Sequence, residues 1–154
     1  MIAYDSITDR KIRFALIGCG RIANNHFGAL EQHADRAELT DVCDTDPARL
    51  KAAEEEFPGV ATYSTVDALL QDGDADLITV ITPHDSHTAV ALQCLNAGKH
   101  VVIEKPMTIT TEQCDSLIAA ANAHGVVLST YHNRHWDGHL LEALQHISAG
   151  EIGD

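Results

Sequence analysis

Residues Ile12-Arg13-Phe14-Ala15-Leu16-Ile17-Gly18-Cys19-Gly20-Arg21-Ile22-Ala23 decide how this chain folds. The apolar run from Phe14 to Ile17 reads as a strand buried on both faces, the pattern of a parallel sheet. Gly18 and Gly20 follow at once, with Ala23 at the third small position of a Gly-x-Gly-x-x-Gly/Ala loop. Each position has a steric task. The first glycine makes the tight turn, the second leaves room for a pyrophosphate, and the third small residue lets a helix lie close on the strand. Arg21 and Ile22 open that helix, whose first N–H groups and positive dipole end favour phosphate.

Strands and helices alternate outward from this corner. A helix is expected over 22–33, with Ile22, Phe27 and Leu30 as apolar contacts, and then a strand over 38–43 that ends at Asp44. Pro47 opens a helix to about residue 57, with Asp46 as its N-cap and proline in its first position. A short strand over 60–63 leads to a small helix capped by Ser64 or Thr65, with Val66, Leu69 and Leu70 facing inward. The segment 76–81 is almost wholly apolar and is expected to be a central strand. A helix over 86–97, capped by Asp85 or Ser86, stops at Gly98. A strand over 100–103, a helix over 111–124 ending on Gly125, a sixth strand over 126–129 and a final helix over 135–148 complete the chain. This alternation predicts an α/β fold, a doubly wound parallel sheet of order 3-2-1-4-5-6 with right-handed crossovers. Ligands then bind at the carboxyl ends of strands 1 and 4.

The chain of 154 residues is about one domain long, with 45% hydrophobic and 21% charged residues. Its net charge of -13 argues against a nucleic-acid or anionic-membrane surface, although an anionic small molecule needs only local positive groups. No apolar run reaches the length of a bilayer span, and residues 1–10 read as a mobile polar leader without signal-peptide character. Cys19, Cys43, Cys94 and Cys114 are scattered and form no Cys-x-x-Cys, which fits reduced thiols in a cytoplasmic protein.

Asp44, 24 residues past Gly20, can accept hydrogen bonds from both hydroxyls of an adenosine ribose, and its charge repels a 2′-phosphate. No Arg or Lys follows it immediately, so NAD is favoured over NADP; Arg49 reads as a helix-face residue. Thr82-Pro83-His84-Asp85-Ser86-His87 follows the central strand, where the nicotinamide half of a dinucleotide lies, and His84 and His87 read as parts of a polar loop over it. Glu104-Lys105-Pro106 ends strand 5. A Glu-Lys pair in a sheet crevice needs polar ligand groups, the carboxylate suiting ribose hydroxyls and the ammonium an oxygen gaining charge. Pro106 is a candidate for a cis bond. His132, His135 and His139 fall near one face of a helix, but read better as a polar face than as a metal site; no metal is expected.

Assembled, these residues resemble the glucose–fructose oxidoreductase / inositol dehydrogenase (Gfo/Idh/MocA) family over about residues 11–154. The resemblance rests on the glycine loop, Thr82-Pro83 with His87, Glu104-Lys105-Pro106-Met107, and Asn133-Arg134 ahead of Gly150-Glu151-Ile152-Gly153. Residues 11–46, with Asn24-Asn25-His26-Phe27, resemble the branch acting on UDP-N-acetylglucosamine(uronate), whereas 131–138 resemble the scyllo-inositol branch. The substrate stays open between a sugar, a nucleotide sugar and a free polyol. The resemblance implies an NAD-binding Rossmann domain over 11–130 and a connecting helix and start of a substrate domain over 131–154. It further implies that Glu104 holds the nicotinamide ribose, that Lys105 is catalytic, steadying the reacting oxygen, and that Asn133 and Arg134 lie near the nicotinamide. His84 departs from the Asn common in the family. The family's Asp-x-x-x-His acid/base motif belongs to the substrate domain, which also supplies homo-oligomer contacts. By itself the chain is expected to bind NAD, to turn over slowly or not at all, and to expose an apolar stripe on its last helix that invites self-association. The alternative is a non-catalytic dinucleotide-binding regulatory module; retention of Glu104 and Lys105 favours the enzyme lineage.

Overall fold

A computed structural model describes residues 7–151. Part of the expected leader, 1–6, and the end of the expected terminal loop, 152–154, lie outside the described residues. The elements alternate as β1 (Ile12–Ile17), α1 (Ala23–Gln32), β2 (Ala37–Cys43), α2 (Pro47–Glu56), β3 (Ala61–Tyr63), α3 (Val66–Asp72), β4 (Leu77–Val80), α4 (His87–Asn96), β5 (His100–Glu104), α5 (Thr111–His124) and β6 (Leu128–Tyr131). A 3-10 turn (Asn133–Trp136) and α6 (Gly138–Ser148) follow. The six strands form one parallel sheet in the order β3-β2-β1-β4-β5-β6, as the alternation predicts.

Both faces of the central strands are covered, which is why they carry unbroken apolar runs. On one face, Leu69 of α3, Cys94 and Leu95 of α4 and Leu117 of α5 pack on Ile78, Val80, Val101 and Ile103. On the other, Ala23 and Phe27 of α1 and Ala53 of α2 pack on Leu16 and Val42. Local chemistry sets the helix starts. The Asp46 carboxylate accepts from Ala48 N–H with Pro47 in the first turn, and the Thr65 hydroxyl caps α3. Thr110 and Gln113 form a reciprocal capping box on α5, which ends on left-handed Gly125.

At the amino ends of the strands Asp76 takes guanidinium bonds from Arg10 at 2.6 and 2.9 Å and from Arg13 at 2.9 and 3.3 Å, plus the Arg13 N–H at 2.9 Å. Arg13 also pairs with Asp74. The side-chain bonds from Arg10 hold the Asp76 carboxyl well below its usual range, outweighing the opposite effect of burial.

Three elements differ from the sequence expectation. The sixth strand begins at Leu128, because the Val126 N–H is spent on the Ala121 carbonyl in the turn that closes α5. The final helix is split: Asp137 is extended (φ -65°, ψ 133°), its carboxylate takes Arg134 at 2.9 Å, and α6 starts afresh at Gly138. His139 is thereby separated from the His132–His135 pair, whose rings meet edge-on at 4.4 Å. Ser86 sits at the head of α4 without capping it; its hydroxyl lies 2.8 Å from Thr82 Oγ1 and 2.7 Å from the Pro83 carbonyl. None of α6 is buried, and Leu141, Leu144 and Ile147 are 41%, 48% and 54% exposed.

Candidate functional site: a cleft at the carboxyl ends of the strands

Parallel register brings the ends of β1, β2 and β4 level, Ile17 facing both Cys43 and Val80. The chain therefore turns at Gly18, Asp44 and Ile81 around one opening. Gly18 has φ 101°, and a Cβ there would lie 2.7 Å from the Ile81 carbonyl oxygen, so both the turn and its close approach to β4 demand glycine. Gly20 is different. A Cβ on it would meet only the Arg49 guanidinium, at 3.8 Å. The fold tolerates a side chain at Gly20; what is left there is open space above the first turn of α1, which no side chain caps.

A cavity of about 500 Å³ runs from this loop along β2, lined by Gly18, Gly20, Arg21, Ile22, Asp44 and Arg49, with Thr82, Pro83 and Ser86 from the β4 side. Asp44, 8% exposed, is fixed at its floor. Its Oδ2 accepts from the Cys19 N–H at 2.7 Å and its Oδ1 from the Asp46 N–H at 2.9 Å. Burial, then the Asp44 charge, pushes the Cys19 thiol up to about 12, and the same two effects push Cys43 up to about 11.

A second cavity, about 390 Å³, adjoins the first and shares Ile22, Ile81 and Thr82 with it. Glu104 and Lys105 from β5 form one wall, His132, Asn133 and Arg134 the rim beyond β6, and His84 the opposite side. Lys105, Asn133 and Arg134 are exposed, whereas the Glu104 side chain is only 13% exposed. One Glu104 oxygen accepts from the Lys105 N–H at 3.0 Å. The Lys105–Pro106 peptide is cis. His87 is 1% exposed; its Nδ1 lies 2.8 Å from the Pro106 carbonyl and its Nε2 2.8 Å from the Thr82 carbonyl. A neutral imidazole donates to one of these carbonyls at a time, and His87, which also lines the second cavity, links the loops after β4 and β5.

Two residues enter the site that spacing along the chain did not reveal. Arg49, read from sequence as a plain helix-face residue, lies 3.5 Å from both Asp44 and Asp46, because α2 starts at the very lip of the cleft. His26 of α1, 7% exposed, reaches Glu104 Oε1 at 3.2 Å and rests on the Tyr131 ring, centroids 4.5 Å apart. Among the described residues no cluster of three or more His, Cys, Asp or Glu is placed to hold a metal ion. None of their helices is long and apolar enough to cross a membrane.

Residues 12–132 match the model of an oxidoreductase family with an NAD-binding Rossmann fold, Gfo/Idh/MocA. Among solved structures, the WlbA dehydrogenase of Chromobacterium violaceum, in complex with NADH and UDP-GlcNAcA, is 45% identical with a TM-score of 0.91, covering 97% of this chain and 43% of that one. Among curated proteins, the scyllo-inositol 2-dehydrogenase (NADP(+)) IolW of Bacillus subtilis is 33% identical, over 93% of this chain and 39% of its own. The uncharacterized oxidoreductase YdgJ of Escherichia coli is 36% identical, over 93% and 40%. The chain spans about 40% of the length of these curated relatives.

Proposed function

The chain belongs to the Gfo/Idh/MocA family of oxidoreductases, and on that footing we propose that it is the NAD-binding part of a dehydrogenase acting on a secondary alcohol of a sugar, nucleotide sugar or polyol. The observation that carries this reading is the contrast between the two loop glycines. Gly18 is required by the fold, whereas Gly20 is required only if something must approach the backbone there. Two contiguous cavities, one ending on a fixed carboxylate and the other on a Glu-Lys pair, suit the two halves of a dinucleotide.

In this reading the backbone of Gly18, Gly20, Arg21 and Ile22 cups the diphosphate at the uncapped start of α1. Asp44 accepts from the adenosine ribose hydroxyls, with NAD preferred to NADP. Thr82 and Pro83 border the nicotinamide half, His87 fixes their loop, and Glu104 accepts from the second ribose. When bound, NAD supplies a ring that exchanges hydride with the alcohol carbon. Lys105 places its ammonium where the alcohol oxygen gains negative charge, and Asn133 and Arg134 frame the same end. The hydroxyl proton goes to a base in the substrate domain that the family resemblance implies, which also makes the homo-oligomer contacts. The four free thiols, two of them buried, support a cytoplasmic setting.

Calorimetric titration of the chain with NADH tests the proposal, and no heat of binding at millimolar cofactor overturns it. Nucleotide sugars and inositols assayed on a longer protein carrying this chain then identify the alcohol.

A further inference from the structure

We infer that His26 is a positioning residue for the nicotinamide half of the cleft, holding Glu104 in the orientation that meets the second ribose; this rests on the reading of the cleft as a dinucleotide site. A carboxylate only accepts, so the 3.2 Å contact is a bond from His26 Nε2–H to Glu104 Oε1, while Oε2 is held by the Lys105 N–H. Each oxygen is thereby fixed by one donor and keeps accepting capacity toward the cleft. The imidazole is itself braced. It is 7% exposed and lies tilted on Tyr131, the residue that stands opposite Glu104 in the register of β5 and β6.

The placement is economical in the fold. His26 comes one turn into α1, the helix whose start borders the first cavity, yet its side chain reaches Glu104, which lines the far cavity. One helix therefore sets both ends of the cleft. Tyr131 borders both the far cavity and an apolar hollow of about 400 Å³ between α1 and the sheet, and His26 lines that hollow. Without the imidazole donor, a side chain 13% exposed would retain a single backbone bond and could turn away from the ligand.

The test compares NADH with ADP, which lacks the second ribose and the nicotinamide, on the 154-residue chain. His26→Phe keeps a ring against Tyr131 but has no donor; His26→Gln keeps a donor and loses the ring. The Phe variant is expected to bind NADH about tenfold more weakly and ADP within about twofold of the parent, with the Gln variant within about threefold for both. In a double-mutant cycle, His26→Phe should add no further loss to Glu104→Ala. The reverse ordering, Phe harmless and Gln damaging, makes His26 a packing residue and overturns the inference. So does an equal loss of ADP and NADH, or additivity with Glu104→Ala. Parent chain that binds ADP but shows no gain for NADH also overturns it, whereas failure to bind either ligand brings down the dinucleotide reading itself.

Discussion

The Cys19 N–H donates to Asp44 Oδ2 at 2.7 Å, joining the middle of the glycine loop to the end of β2. The carboxylate proposed to choose the nucleotide is therefore also a clip that shapes the glycine loop. A carboxylate bonded in this way is pre-oriented before ligand arrives, so little ordering is left to do on binding.

Removing that carboxylate should affect both tasks. Asp44→Ala is expected to weaken NAD by about tenfold or more and to shift the preference toward NADP, since the charge that repels a 2′-phosphate is gone and Arg49, 3.5 Å away, keeps only Asp46 as a partner. Titration with both cofactors reads the ratio. Equal affinity of the unaltered chain for NAD and NADP would remove Asp44 from nucleotide choice.

The two glycines should part company on substitution. Gly20→Val is expected to leave the melting temperature within about 2 °C while abolishing NADH binding, because its side chain enters open space that the diphosphate needs. Gly18→Val should cost the fold several kcal/mol, roughly 3 or more, for its positive φ and its clash with the Ile81 carbonyl. Thermal melts beside calorimetry separate the two effects; a Gly20→Val chain that still binds defeats the phosphate-loop assignment.

Asp76 sets an acid limit. Its folded carboxyl sits below its ordinary value near 3.8, so the stability it contributes is complete above that pH and drains away as pH falls further. Asp76→Asn should lower the melting temperature by about 5 °C at pH 7, and the gap between variant and parent should close as the pH is taken below about 3.8. A gap independent of pH would mean that shape, not charge, is what Asp76 contributes.

Three thiols should be inert in the native chain. Burial pushes Cys19 and Cys94 up to about 12 and Cys43 up to about 11, leaving almost no thiolate at pH 8. Iodoacetamide at that pH should label each at least about tenfold more slowly than in denaturant, as read by peptide mass. Rapid labelling of Cys19 would show that the loop does not pack as described.

The sheet order and most elements were legible because strand, loop and helix each leave a local mark: the apolar run before Gly18, Pro47 behind Asp46, and the glycine stop at Gly125. The wrong boundaries fell where two local rules compete. Val126 is apolar enough for a strand, but the closure of α5 uses its N–H first. The periodicity of 135–148 is helical throughout, but Asp137 turns its carboxylate to Arg134 and interrupts it. Arg49 and His26 were missed for another reason. Arg49 pairs locally, with Asp46 one turn back and with Asp44 in the loop before α2, but only the loop geometry shows that this pair stands at the cleft. The Glu104 partner of His26 lies 78 positions away, so only the assembled sheet brings them together. His87, expected in a polar loop over the dinucleotide, does line the second cavity, but its contacts with the Pro106 and Thr82 carbonyls leave no local mark in the sequence.

The oily stripe of α6, Leu141, Leu144 and Ile147, meets water directly. Such a surface sets a ceiling on how concentrated a solution of the chain can become. That ceiling should drop in salting-out buffers such as ammonium sulfate and rise with low concentrations of mild detergent. None of these three residues lines either cavity of the cleft, and exchanging them for polar ones should improve solubility while cofactor affinity stays as it was.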